Sequence, residues 1–137
     1  MMDKSKYDGN GVFDKGAANE KYADFFNGGT SFRNGLSTEQ VIIDNVTFPP
    51  SCRTKWHKHH TGEILLITGG IGWHQIEGED AVKIQQGDVI NVKAGTTHWH
   101  GAKKDCWLTH IAITVPSDDM EMEVLHDVSD DIYNNLD

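Results

Sequence analysis

Short runs of β-branched and apolar residues, cut at near-even intervals by turn residues, constrain this chain more than any other feature. From residue 41 onward eight such runs follow one another: VIIDNVTF (41–48), CRTKWHKH (52–59), EILLIT (63–68), IGWHQIEG (71–78), AVKIQ (81–85), DVINV (88–92), THWHG (97–101) and CWLTHIAITV (106–115). Between them stand Pro49-Pro50, Thr61-Gly62, Gly69-Gly70, Gly78-Glu79-Asp80, Gly87-Asp88 and Ala94-Gly95. Runs of this kind bounded by Gly, Pro and Asp read as strands. Eight of them joined by short turns predict an antiparallel sandwich or barrel.

The two ends differ from this middle. Residues 1–40 are rich in Gly, Asn and Lys and weakly patterned. NEKYADFFNGG (19–29) reads as one short helix or an extended arm, ended by Gly28-Gly29. Acidic residues gather after residue 116, which reads as a solvated tail. Within it, SDDIYNNL (129–136) opens with Ser129 as a helix N-cap and two acids in the first turn, the pattern of a short closing helix. The expected organisation is an N-terminal arm over 1–40, a barrel over 41–116 and an acidic C-terminal segment over 117–137.

Composition narrows the partners. At 137 residues, with 37% hydrophobic and 24% charged residues, the chain suits one globular domain with a single core. A formal charge of −9 opposes binding to nucleic acid or an anionic membrane, both of which need clustered Lys and Arg. No apolar run approaches the length of a membrane span, and the first residues lack the apolar centre of a signal peptide. Cys52 and Cys106 are far apart and outside any C-x-x-C arrangement, so free thiols in a cytoplasmic protein are the expectation.

The chemistry concentrates in WHKHHTGEILLITGG (56–70). In a strand, residues two apart share a face about 6.5–7 Å apart. His57 and His59 then point one way, Lys58 and His60 the other. Two such imidazoles can reach one ion at about 2.0–2.2 Å. If the chain folds back at Thr61-Gly62, Glu63 comes alongside them. His98 opens a later strand, and a barrel can bring it to the opposite side of the same ion.

These residues resemble the motifs of the cupins. H-x-H-x(3,4)-E-x6-G is met by His57, His59, Glu63 and Gly70, and G-x5-P-x-G-x2-H-x3-N by Gly87, Gly95 and His98. Lys93 replaces the motif's proline and Ala102 its asparagine, positions that do not normally bind metal. The resemblance implies an all-β, jelly-roll-like cupin barrel with short terminal helices. Finer similarity, carried by CRTKWHKHHTGEILLITGGIGWHQIEG, GDVINVKAGTTHWHGA and WLTHIAITV, points to a subgroup of single-domain cupins. Many are named as carboxymuconolactone-decarboxylase-type, and the subgroup includes manganese-dependent hydroxynitrile lyases. Those lyases hold metal through three histidines and a glutamine, with more histidines beside the open coordination site. By position, the resemblance implies His57, His59, Glu63 and His98 as ligands and His100 and His110 as the flanking histidines. The ion would be one divalent transition metal: Mn, Fe, Ni, Co or Zn. Glutamate in place of glutamine makes the ion a weaker Lewis acid and a better reductant, which moves weight toward oxygen chemistry.

Strand parity extends the picture. His100 shares the face of His98, and His110 shares one with Cys106, Leu108 and Ala112. Near a divalent cation either histidine can act as a general base; the alternative is a core histidine bonded to backbone. Cys106, Leu108, Leu65 and Ile67 are expected as wall of a pocket for a small organic substrate. His60 is out of phase, His74 either lines the barrel mouth or faces outward, and His126 is exposed. Trp56 and Trp99 point away from the site, onto an outer face that a partner subunit could cover. The resemblance implies a homodimer, with the N-terminal arm exchanged. Three kinds of function follow: a metal-dependent lyase, decarboxylase or isomerase with His100 or His110 moving the proton; a metal-dependent dioxygenase, favoured by Glu63; and a non-catalytic metal or small-molecule binding domain. A barrel with no chemistry would need none of the histidines.

Overall fold

The structure, a computed structural model, describes residues 3–136. Along the chain lie β1 (Ala17–Ala18), β2 (Phe26–Asn27), β3 (Phe32–Ser37), β4 (Ile42–Phe48), β5 (Arg53–Thr54), β6 (His57–His59), β7 (Glu63–Ile76), β8 (Val82–Gln85), β9 (Val89–Val92), β10 (Thr97–Ala102), β11 (Leu108–Thr114), β12 (Met122–Val124) and α1 (Asp130–Asn134). Single 3-10 turns form at Lys4–Lys6 and Ala23–Phe25. All strand pairs are antiparallel, and the strands join into one sheet that curls upon itself.

β7 holds the curl together. Its first half pairs with β9 and β11, its second half with β8 and β10. Gly69-Gly70, expected as a turn between two strands, instead lies inside this single 14-residue strand. The bend there still needs glycine. Gly70 has φ +83°, and a Cβ at that position would run into the Trp107 carbonyl. The register against β11 shifts at Thr109/His110, a bulge that strengthens the local twist. Two glycines therefore mark a corner of the barrel, where the strand changes partners without ending.

The expected run 52–59 is interrupted for the converse reason. At Lys55 and Trp56 the backbone turns to other partners: the Lys55 N–H donates to the Phe25 carbonyl at 2.8 Å and the Trp56 N–H to the His126 carbonyl at 2.9 Å. β5 and β6 result, one on each side of the break. The N-terminal region holds a strand that its sequence did not announce. β3 pairs with β4 from Phe32 opposite Thr47 onward, although FRNGLS shows little alternation.

One core cluster gathers Phe48, Leu65, Ile67, Ile84, Leu108 and Ala112 between the two curved halves. A second lies on the outer face of β10, where Trp73 and Trp99 pack with Val128 and Tyr133. This corrects two expectations. The C-terminal segment is solvated over most of its length but is no free tail: β12 pairs with β6, and Val128 and Tyr133 are buried. Trp99, expected on a face for a partner subunit, is fully buried under this chain's own C-terminal segment and donates its indole N–H to Gln75 Oε1 at 2.8 Å. α1 forms as its cap predicts, with Ser129 Oγ accepting from the Ile132 N–H at 3.2 Å. Buried Arg53 donates to the Val128 carbonyl at 3.0 Å and to Asp130 Oδ1 at 2.6 Å, and the Tyr133 hydroxyl donates to the Ala102 carbonyl. These bonds fasten the C-terminal segment across β10. No helix among the described residues is long and apolar enough to cross a membrane.

Candidate metal centre

Alternation along the three residues of β6 sends the His57 and His59 rings to one side. β10 lies antiparallel to β6 with His98 opposite His57. Glu63 is the first residue of β7, and the turn before it is tied down twice. The Thr61 hydroxyl donates to the Val115 carbonyl at 2.5 Å, and the Val115 N–H donates to the Gly62 carbonyl at 2.9 Å. Three strands thus deliver four donors to one point.

One donor atom from each of His57, His59, Glu63 and His98 lies within 4.8 Å of all the others. With bonds of about 2.1 Å, neighbouring donors on one ion stand about 3 Å apart and opposed ones about 4.2 Å. Small side-chain adjustments close that difference. His59 Nε2 and Glu63 Oε2 are already 3.6 Å apart, and the His57 and His98 ring centres 4.3 Å. His57 Nε2, His98 Nε2 and Glu63 Oε1 are buried with no hydrogen-bond partner. An unpaired buried polar atom costs about 1–3 kcal/mol, so three in one place need a common partner. Imidazole and carboxylate together suit a divalent transition metal, and four donors leave positions open on a six-coordinate ion. The cluster fits such an ion.

The electrostatics suit a cation. Burial, helped by neighbouring imidazoles, drives the His57 pKa down to about 3 and holds His98 far below its ordinary value. Burial also lowers His59. These rings are neutral at physiological pH, with lone pairs free to bind. Burial, and then the Asp44 charge, push Glu63 up to about 7. Two of the rings are held from behind. His57 Nδ1 is 2.8 Å from the Lys55 carbonyl, and His98 Nδ1 is 3.2 Å from His74 Nε2.

His100 and His110 lie beside the cluster, with ring centres 4.9 Å apart and His98 5.5 Å from His100. Both are buried. His100 Nδ1 and both ring nitrogens of His110 lack hydrogen-bond partners of ordinary geometry, although the His110 ring interacts with its own backbone. Burial lowers His110 to about 3 and His100 well below its ordinary value.

Both rings, with His57, His59 and Glu63, line a cavity of about 270 Å³. Its apolar wall is not the expected one. Leu65, Ile67 and Leu108 belong to the core cluster, and Cys106 is buried away from the cavity. Phe25, Phe26, Val46, Phe48, Met120 and Met122 form the wall instead. Sequence reasoning missed the two methionines and Phe25-Phe26 because they come from segments read as tail and arm. The FF pair between turn residues was the one available signal. His60 faces away, with Nδ1 2.8 Å from Asp119 and Nε2 2.7 Å from Glu123, and these carboxylates raise its pKa. His126 is exposed. His74 lies neither at the barrel mouth nor outside, but buried behind His98.

Residues 45–111 match the model of the cupin domain family. Over 89 residues the chain is 40% identical to the (R)-mandelonitrile lyase of Granulicella tundricola, a stretch covering 65% of this chain and 68% of that protein. A cupin-like protein of Thermotoga maritima has a crystal structure similar to this one at a TM-score of 0.84 and 32% identity, covering 91% of this chain and 96% of that one. The DMSP lyase of Ruegeria pomeroyi shares the fold alone, at a TM-score of 0.61 and 12% identity over 89% of this chain and 64% of that one. A curled antiparallel sheet, both histidine motifs on it, and relatives matched along most of their length make the chain a member of the cupin family.

Proposed function

We propose that this cupin is a metal-dependent lyase that cleaves a small hydroxylated organic substrate, with His57, His59, Glu63 and His98 as ligands. The observation that carries this is the pair His100 and His110: buried imidazoles with unpartnered nitrogens, lining the same cavity as three of the four donors. A bound divalent ion supplies Lewis acidity toward a substrate oxygen. The two histidines supply proton transfer. Each neutral imidazole offers one N–H and one lone pair. Burial makes a lasting imidazolium costly, so the favoured process is a relay in which one nitrogen accepts the substrate hydroxyl proton as another returns a proton to the leaving group. The apolar wall excludes water and holds the organic body of the substrate.

The similarity to a mandelonitrile lyase makes a cyanohydrin the first substrate to try. Protein purified without chelator is expected to carry about one transition-metal ion per chain. The Mn(II)-, Fe(II)- or Zn(II)-loaded protein should release aldehyde from mandelonitrile, and His100→Ala and His110→Ala should not. Metal binding without cleavage of cyanohydrins or related hydroxylated substrates would sink the lyase reading. A second reading rests on Glu63. Its carboxylate makes a bound ion more reducing than a glutamine would, which favours a dioxygenase. Substrate-dependent oxygen uptake by the Fe(II)-loaded protein, without cyanohydrin cleavage, would select it.

A further inference from the structure

We propose that His74 is the positioning residue of the metal centre: it fixes the tautomer and orientation of His98 and so sets the affinity of the four donors for their ion. This rests on the metal-dependent reading above. His74 lies on β7, opposite His100 in the register with β10, and is buried. Its Nε2 is 3.2 Å from His98 Nδ1.

The tautomers of the two rings are locked together. His98 Nε2 is the unpartnered nitrogen. To bind a cation through Nε2, His98 must carry its proton on Nδ1. That N–H then donates to His74 Nε2, so His74 is the acceptor and keeps its own proton on Nδ1. The reverse arrangement, with His74 Nε2–H donating, would put the His98 proton on Nε2. It would then face His57, His59 and Glu63 and close the site to a cation. His57 meets the same need differently, through the Lys55 carbonyl. A backbone carbonyl survives any substitution at its residue, whereas an imidazole does not. Of the two fully buried histidine donors, His98 is the one whose orientation depends on a replaceable side chain. Position 74 lies outside both histidine motifs, so no motif marks this role.

The test compares the wild-type protein with His74→Phe, which keeps a ring but no acceptor, and His74→Gln, which restores an acceptor oxygen. Mn(II) affinity is read by electron paramagnetic resonance of the free ion and Zn(II) affinity by chelator competition. The His98 tautomer is read by long-range nitrogen–proton NMR on metal-free protein. We expect His74→Phe to weaken both ions about 10–100-fold, as loss of an outer support to a ligand does. His74→Gln should recover most of that loss, and the metal-free melting temperatures should stay close together. A purely structural role would instead lower the melting temperature without metal and weaken both variants alike. Wild-type affinity in His74→Phe overturns the proposal, as does equal loss in both variants. If His74→Phe does not fold, the wild-type NMR decides: a proton on His98 Nδ1 supports the proposal and one on Nε2 overturns it. A wild-type protein that binds neither ion brings down the metal reading and this inference together. The other outcomes touch only His74.

Discussion

The two buried pairs of histidines in this barrel are nearly alike in burial and differ in support. His57 and His98 each have one nitrogen held from behind and the other unpaired toward the donors. His110 has neither nitrogen held, and His100 Nδ1 is unpaired. A ligand must keep one lone pair on a fixed line, so a held ring suits it. A proton relay must present a donor and an acceptor in turn, so an unheld ring suits that. On the proposed function, the same residue type, buried to nearly the same degree, would be divided into two roles by what stands behind each ring.

The largest expected effect tests the held pair. His98→Ala should abolish metal binding, whereas His60→Ala, just past the end of β6 and turned toward Asp119 and Glu123, should leave it unchanged. Elemental analysis per chain decides, and equal loss in both variants would show that strand parity does not set the ligands. Next comes the unheld pair. His110→Ala should keep its metal and lose about 10²–10⁴-fold in kcat, the range of a general acid–base group. Metal loss in this variant would erase the distinction between the pairs.

The third effect concerns one member of each pair together with His74. His57, His74 and His110 fall from 6.5 to about 3, 4 and 3 on folding, so below pH 6.5 the unfolded chain binds protons that the folded chain refuses. Their contribution is full above 6.5 and is lost as pH falls through those values. Glu63, raised from 4.5 to about 7, works in the opposite sense: its contribution is present below 4.5 and lost as pH rises through 7. Several histidines outweigh one carboxylate. The melting temperature of the metal-free protein should therefore drop steadily between pH 6.5 and 4, and calorimetry showing it flat or rising would refute the burial argument. The smallest effect lies outside the site. Tyr133→Phe removes the hydroxyl bond to the Ala102 carbonyl on β10 and should cost about 1–3 kcal/mol in urea denaturation, because that carbonyl is left unpaired. Metal affinity should stay unchanged; a marked loss would mean that the outer clasp, and not only His74, positions His98.

The cluster of His57, His59, Glu63 and His98 was legible in the sequence because most of its geometry is local. Period-two alternation fixes His57 and His59, and one turn fixes Glu63. Only His98 needs long-range pairing, and the second motif marks it. What the sequence hid depends on where a strand sits rather than on which way it faces. Leu65 and Ile67 do share the face of Glu63. However, each further pair of residues moves about 7 Å along the strand, which takes them past a small cavity into the core. Gly69-Gly70 looked like punctuation because a barrel corner and a turn both need glycine. The acidic C-terminal segment looked solvated because its few apolar anchors, Val128 and Tyr133, are diluted by the charges around them. His74 was ambiguous because its face depends on the bulge at Thr109/His110, which no local pattern announces.

β7 carries Glu63 on one side of its corner and His74 on the other, so the complete site exists only when a single strand has joined both halves of the sheet. A chain with one half folded would hold part of the donor set and bind an ion weakly. Metal in excess would then draw the population toward the closed barrel by mass action, worth about 2.7 kcal/mol at a hundredfold excess over Kd. On the metal-dependent reading, the first symptom of metal shortage would be a lower level of folded protein, ahead of any loss of specific activity in the molecules that remain.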